Sequence, residues 1–209
     1  MSSSVTLKWY GHACFAITKD GYTVAIDPYD SGVPGYNPLS LTVDEVVSTH
    51  GHHDHNYFEA VTIKKSGIES PFKIEKLESF HDNEGGALRG KNDILIFETE
   101  GLKIVHLGDL GHILTPQQQS KLAGADILMI PVGGHFTIDA VEAKVVIDQI
   151  KPKIIIPMHY RFNSHGFDVI STIDGFLDSV GDMNIVNVGG DTIEITKDTE
   201  SAVMVLGCD

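Results

Sequence analysis

Cysteine is nearly absent from this chain of 209 residues: Cys14 and Cys208 stand almost a chain length apart, so no disulfide framework is available and both read as free thiols. Basic residues are also scarce. Fifteen Lys and Arg face 29 Asp and Glu, a formal charge of -14, and two bound divalent ions would leave the chain strongly negative. Nucleic-acid binding, which needs clustered cations against phosphates, is disfavoured. No apolar run approaches the roughly eighteen residues of a membrane span, and the opening MSSSVTLKWYGHACF has no basic segment followed by an apolar one. A soluble, cytoplasmic protein with no membrane partner is expected. Proline is sparse at 8 residues, but 42% hydrophobic and 21% charged residues exclude whole-chain disorder. A single domain over residues 1–209 can bury a core without a stapling metal, so any metal would serve chemistry first.

Histidine is plentiful, at 11 residues. Residues 5–10, 13–18 and 22–26 alternate or run apolar between Gly11-His12 and Lys19-Asp20-Gly21, which predicts antiparallel hairpins. Residues 27–40, rich in Pro, Gly, Asn and Asp, predict a loop, and 43–49 a buried strand ending on histidines. Strands are predicted over 74–80, 93–99 and 102–107, the first two around a polar, glycine-rich excursion at 81–92. Beyond lie helices over 116–123, 138–150 and 169–180 and strands over 127–131, 153–157, 185–188, 192–196 and 203–206. Hairpins followed by strand-helix alternation fit two packed sheets flanked by helices.

Thr49-His50-Gly51-His52-His53-Asp54-His55-Asn56 packs four imidazoles and a carboxylate into six positions at a strand end. On extended backbone His50 and His52 project to one side, while Asp54 and His55 reach a neighbouring point if the chain then turns. Such an arrangement suits two metal ions; a surface histidine run is the plain alternative. His50-x-His52-x-Asp54-His55 resembles the HxHxDH motif of the metallo-β-lactamase-fold superfamily. Trp9-Tyr10-Gly11-His12-Ala13-Cys14-Phe15, Ile26-Asp27-Pro28, His106-Leu107-Gly108-Asp109 and Pro157-Met158-His159-Tyr160 follow in the order of its metal-dependent hydrolase branch, which contains the ascorbate-6-phosphate lactonases. The resemblance implies an α/β fold, a four-layer αββα sandwich of two mixed β-sheets flanked by helices, with the site at one edge. It also implies that His50, His52 and His81 hold one divalent ion, that Asp54, His55 and His159 hold a second, and that Asp109 bridges both.

Uncompensated carboxylates gathered in a cleft repel one another and resist ionisation, and two divalent cations remove that conflict. Imidazole and carboxylate without thiolate suit zinc first, with manganese or iron as alternatives. Coordination lowers the pKa of water to about 7, so a nucleophile exists without Ser or Cys. The expected reaction is attack by a metal-bridging hydroxide, oriented by Asp54, on a small anionic ester, lactone or phosphoester. Asp27 is a candidate to fix a ligand histidine's tautomer, or else a turn aspartate before Pro28. His135, in a glycine-rich turn that either approaches an anion or is merely flexible, joins Tyr160 and Arg161 as expected substrate contacts. His12, His53, His106, His112 and His165 are expected to pack or to face solvent. Specificity should lie in loops 30–41, 81–91 and 163–166, where Arg89, Lys91 and Arg161 are the nearby cations. The alternatives are a phosphodiesterase or nuclease, a di-iron redox enzyme and a non-catalytic metal-binding protein. An exposed strand edge or apolar helix face is where a homo-oligomer would form.

Overall fold

In a computed structural model that describes residues 4–207, the chain opens with the hairpins its alternation predicts. β1 (Ser4–Gly11), β2 (Cys14–Lys19) and β3 (Tyr22–Ile26) pair antiparallel in succession. β1 buries Val5, Leu7 and Trp9 and leaves Thr6, Lys8 and Tyr10 half-exposed on its other face, the two-residue period of a strand. The strand expected over 43–49 is instead two short ones, β4 (Leu41–Val43) and β5 (Glu45–Val47), split at Asp44. The Asp44 carboxylate accepts from the Thr23 N–H at 2.7 Å and pairs with Lys64 at 2.8 Å. These bonds turn the chain into β5, a half-buried strand at the sheet edge beside β3.

After β6 (Val61–Ile63), which pairs with β4, come β7 (Lys73–Phe80), β8 (Lys91–Thr99) and β9 (Leu102–His106), an antiparallel meander. α1 (Pro116–Leu122) begins at a capping box between Thr115 and Gln118, and α2 (Ala140–Ile150) at one between Asp139 and Glu142. Between and after them run β10 (Ile127–Pro131) and β11 (Ile154–Met158), parallel to β9. The helix expected over 169–180 covers only α3 (Asp174–Ser179). In its missing part residues 168–170 form a turn, the Ile170 N–H donating to the Phe167 carbonyl at 3.2 Å, and Ser171 is bound from outside the segment, its N–H donating to the Gly133 carbonyl at 2.8 Å and its carbonyl accepting from the Arg161 N–H at 2.9 Å. β12 (Ile185–Asn187), β13 (Thr192–Thr196) and β14 (Ala202–Val205) complete the chain.

Two mixed sheets result, ordered β13-β1-β2-β3-β5 and β12-β14-β11-β10-β9-β8-β7. Their inner faces share one core, in which Leu7, Trp9, Phe15 and Ile17 lie opposite Leu95, Phe97 and Met129. The helices lie side by side on one flank, Gln119 of α1 donating to the Gln149 carbonyl and Ser179 of α3 to the Ala140 carbonyl of α2. Over the outer face of the five-stranded sheet, Tyr29, Val33, Leu41 and Val43 form a smaller apolar cluster on Cys14 and Ala25. Loop 28–40 and the β4-β6 pair therefore build the second flank, and among the described residues it carries no α-helix. Cys14 is a buried free thiol; Cys208 lies outside the described residues. No helix among them is long and apolar enough to cross a membrane.

Candidate metal centre

Within their sheets β1, β3 and β5 share one direction, as do β7, β9 and β11. All six run out towards one edge of the sandwich. His12 follows β1, Asp27 follows β3, the 50–55 turn follows β5, His81 follows β7, Asp109 comes just after β9 and His159 follows β11. The donor atoms of His50, His52 and His81 lie within 4.8 Å of one another, as do those of His50, His55 and Asp109 and those of Asp54, His55, His159 and His12. The structure thus brings together all seven residues expected at the centre. Asp109 stands between the groups: Oδ2 is 3.0 Å from His81 Nε2 and 3.2 Å from His159 Nε2, and Oδ1 is 3.2 Å from His55 Nε2.

Unusual backbone delivers several of these groups. His12, Asp27 and His159 have φ of 52°, 49° and 54°, a region that costs a non-glycine residue about 1–2 kcal/mol and persists only where surroundings impose it. The His12 carbonyl is held by the Trp9 indole N–H and the His159 N–H, each at 3.1 Å. Asp109 depends on Gly108, where a Cβ would run into Asn92 Oδ1 and the Thr49 side chain. That close approach lets Asn92 Oδ1 accept from the Asp109 N–H at 2.9 Å, while its Nδ2 donates to the Leu107 carbonyl and to Ser79 Oγ.

Hydrogen bonds behind the centre fix the imidazole tautomers. Buried Asp27 accepts from the Thr49 N–H and the Thr49 hydroxyl, each at 2.7 Å, and from His55 Nδ1 at 2.8 Å. With its proton given to Asp27, Thr49 Oγ1 accepts from His50 Nδ1 at 3.0 Å. His81 Nδ1 donates to the Phe136 carbonyl at 3.0 Å. In all three the Nδ1 proton is committed, so the neutral imidazole presents its lone pair at Nε2. Those of His55 and His81 face the Asp109 carboxylate, which has none but lone pairs to offer.

The electrostatics divide the histidines into two kinds. Burial and the neighbouring His159 push the His12 imidazole down to about 4, and burial with His55 pushes His50 down to about 3. Burial also opposes a charge on His55, but Asp109 and Asp27 outweigh it and raise that imidazole well above its ordinary value. Asp109, resisted by burial, is held well below the carboxylate range by His159 and His55. His50 Nε2, His55 Nε2, His159 Nε2 and Asp109 Oδ1 are all buried without a hydrogen-bond partner. Ligands about 2.0–2.2 Å from a shared ion sit about 3.0–3.5 Å from each other, which is the spacing found around Asp109. The cluster is able to bind metal, and its donors fit divalent ions of the zinc, manganese or iron kind.

A family model described as the beta-lactamase superfamily domain matches residues 6–159. The chain belongs to the beta-lactamase superfamily. It is 30% identical over 184 residues to a UPF0173 metal-dependent hydrolase of Thermoplasma acidophilum, covering 73% of this chain and 82% of that one. A Thermotoga maritima protein described as a Zn-dependent hydrolase of the metallo-beta-lactamase superfamily is 34% identical, with a TM-score of 0.72 over 97% of this chain and 100% of that one. A metallo hydrolase of Ignicoccus hospitalis, 20% identical, shares the fold at a TM-score of 0.68 over 92% and 99% of the two chains. This superfamily member therefore stands among the metal-dependent hydrolases, on the metallo-β-lactamase fold.

The expected substrate contacts need correction. Tyr160 is buried, its ring 5.6 Å from that of Trp9, because the left-handed backbone at His159 turns it back into the core. Arg161 pairs through its backbone with Ser171 and does not line the cleft beside the cluster. His135 is exposed and lies edge-on to Phe136 at 4.5 Å. The turn before it offers no anion site, because Asp139 already caps α2 and accepts from the Val141 and Glu142 N–H groups. Arg89, Phe136 and Phe167 line the cleft instead. His12 is the other surprise: expected to pack or to face solvent, it is buried with Nε2 3.2 Å from Asp54 Oδ2. Its sequence signals were a histidine at a hairpin turn and its place in the Trp9-to-Phe15 stretch that resembles the family. His53 pairs with Asp30 at the rim, while His106 and His112 make structural hydrogen bonds, as expected.

Proposed function

We propose that this metal-dependent hydrolase holds two divalent ions, zinc before manganese or iron, and cleaves a small anionic ester, lactone or phosphoester. His50, His52 and His81 would hold one ion, Asp54, His55 and His159 the other, and Asp109 both. The observation that carries the proposal is the set of Nε2 lone pairs whose tautomers Asp27, Thr49 and the Phe136 carbonyl fix, aimed at Asp109. Two such ions, when bound, would lower the pKa of water to about 7 and polarise the substrate's oxygen.

The chain's own groups supply the rest. Asp54 borders the cleft with a partly exposed carboxylate. His12 Nε2 donates to Asp54 Oδ2, which leaves Oδ1 free to accept a hydrogen from the attacking water and orient it. Cys14 is no competing nucleophile: it is wholly buried, and burial with nearby Asp27 raises its thiol well above the ordinary value. Phe136 and Phe167 make the cleft's apolar wall and exclude bulk water from one side.

The test strips the protein with a chelator, reconstitutes it with zinc, manganese or iron, and measures metal content by plasma mass spectrometry. Turnover of p-nitrophenyl acetate, a lactone panel and bis-p-nitrophenyl phosphate is followed in parallel. Two equivalents of metal with hydrolysis are expected, and Asp54→Ala should keep the fold by circular dichroism while losing at least about a hundredfold in rate. Less than one equivalent with no turnover would overturn the proposal, and a fully active Asp54→Ala would remove that residue from its role.

A further inference from the structure

Beside the histidine and aspartate cluster lies a cleft of about 360 Å³, near the small end of ligand pockets. Its far wall is Arg89, Phe136 and Phe167. The Arg89 guanidinium sits 5.7 Å from the centre of the Phe136 ring, and the two phenylalanine rings meet edge to face at 5.8 Å. Phe136 is anchored to the centre, since its carbonyl accepts from His81 Nδ1.

Arg89 is placed by an unusually ordered loop. Asp82, directly after His81, accepts from four backbone N–H groups, those of Glu84, Gly86, Leu88 and Arg89, at 2.9, 2.8, 3.0 and 2.7 Å. One buried carboxylate thus winds the loop around itself and sets down Arg89 at the cleft. No carboxylate among the described residues pairs with the Arg89 guanidinium, although acids outnumber bases by 29 to 15 in this chain. Lys91, two residues on, is paired with Glu78. An unpaired guanidinium on an aromatic face beside an apolar wall, in so acidic a protein, is poised for an anion brought by a ligand.

We infer that Arg89, Phe136 and Phe167 form the recognition site for a substrate bearing a carboxylate next to an apolar group. The inference rests on the hydrolase reading, for which it names the substrate class. The charge is single because Arg89 is the one Lys or Arg of the cleft lining, and a planar guanidinium matches a carboxylate through two parallel hydrogen bonds. The apolar part of the ligand packs on the phenylalanine rings, leaving the scissile group towards Asp54 and Asp109.

Calorimetric titration of the zinc-reconstituted protein with 3-phenylpropanoate and with its uncharged amide tests this. The acid should bind at least about tenfold more tightly than the amide, and Arg89→Gln should weaken the acid by about tenfold to a hundredfold with little change for the amide. Phe167→Ala should weaken both. Equal binding of acid and amide, an acid affinity untouched by Arg89→Gln, or no measurable binding of the acid to the native protein would each overturn the inference. Turnover of p-nitrophenyl acetate by the native protein is scored separately, so a failure of the hydrolase reading shows there and a failure of carboxylate recognition shows in the titrations.

Discussion

Asp27→Asn is the sharpest single perturbation of the centre, because it changes one atom that two histidines depend on. The side chain is wholly buried and accepts three hydrogen bonds, from the Thr49 N–H, the Thr49 hydroxyl and His55 Nδ1. An amide keeps the shape and tolerates the positive φ of 49°, which asparagine adopts more readily than most residues. It must, however, put an NH2 where one oxygen was. Placed towards Thr49 Oγ1 and His55, that NH2 makes the hydroxyl an acceptor and turns His55 Nδ1 into an acceptor too. The His55 proton then moves to Nε2, and Thr49, now free to donate, drives the His50 proton to Nε2 as well. Placed the other way, the NH2 opposes the Thr49 N–H and leaves a buried donor unpaired, at about 1–3 kcal/mol. The first placement leaves no donor unpaired and is therefore favoured, and it is the one that disfavours metal. We expect metal affinity to fall about 10–100-fold, measured by competition with a chromophoric chelator. The melting temperature of the metal-free protein should fall by no more than about 10 °C, at about 2–4 °C per kcal/mol for a chain of this size. If Asp27→Asn folds and binds both ions as tightly as the native chain, the tautomer argument is wrong. A loss of stability with unchanged metal affinity would make Asp27 a purely structural residue.

Two further predictions concern the frame around the site. Asn92→Ala removes the partners of the Asp109 N–H, the Leu107 carbonyl and Ser79 Oγ, and should cost about 2–5 kcal/mol in urea denaturation; a loss under about 1 kcal/mol would show that the triple contact contributes little. At Asp44, burial opposes ionisation, but Lys64, Ser66 and the Thr23 N–H outweigh it and bring the carboxyl down to about 2. Its folded value lies below the unfolded value of about 3.9, so its contribution is present above about pH 4 and is lost as pH falls towards 2. Asp44→Asn should flatten that part of the stability curve, and an unchanged slope would refute the assignment.

What could be learned before the fold was known follows from how each residue reaches the site. Asp27, Asp109 and His159 come at or just after the ends of buried apolar strands, His50 after short half-buried β5 and His81 after β7, which alternates apolar and charged residues, and a strand closing on a ligand-type residue is a local pattern that survives folding. The two helix starts were legible for a similar reason, since Thr115 with Gln118 and Asp139 with Glu142 satisfy helix N–H groups within one turn. Local patterns failed where tertiary contacts decide. Val169 to Val180 has helical composition, yet the Gly133 carbonyl claims the Ser171 N–H and the Phe167 carbonyl the Ile170 N–H, so the first half of the segment turns instead of winding into the helix. Tyr160 and Arg161 looked like substrate contacts because they adjoin His159 in sequence, but a φ of 54° at that histidine sends the next side chain to Trp9. The same backbone class hid His12, whose entry depends on the β1-β2 turn docking against the end of β11, two segments nearly 150 residues apart. Arg89 went unranked among three cations, since only the folding of its loop onto Asp82 distinguishes it from Lys91. The residues gathered at the centre were thus encoded one strand end at a time, whereas Arg89, Phe136 and Phe167 of the cleft wall sit in loops whose shape is set by a carboxylate, a turn or a ring several residues away. A search for specificity among relatives of this fold should accordingly begin with what organises the loop after the β7 histidine, here Asp82, and only then ask which cation the loop presents.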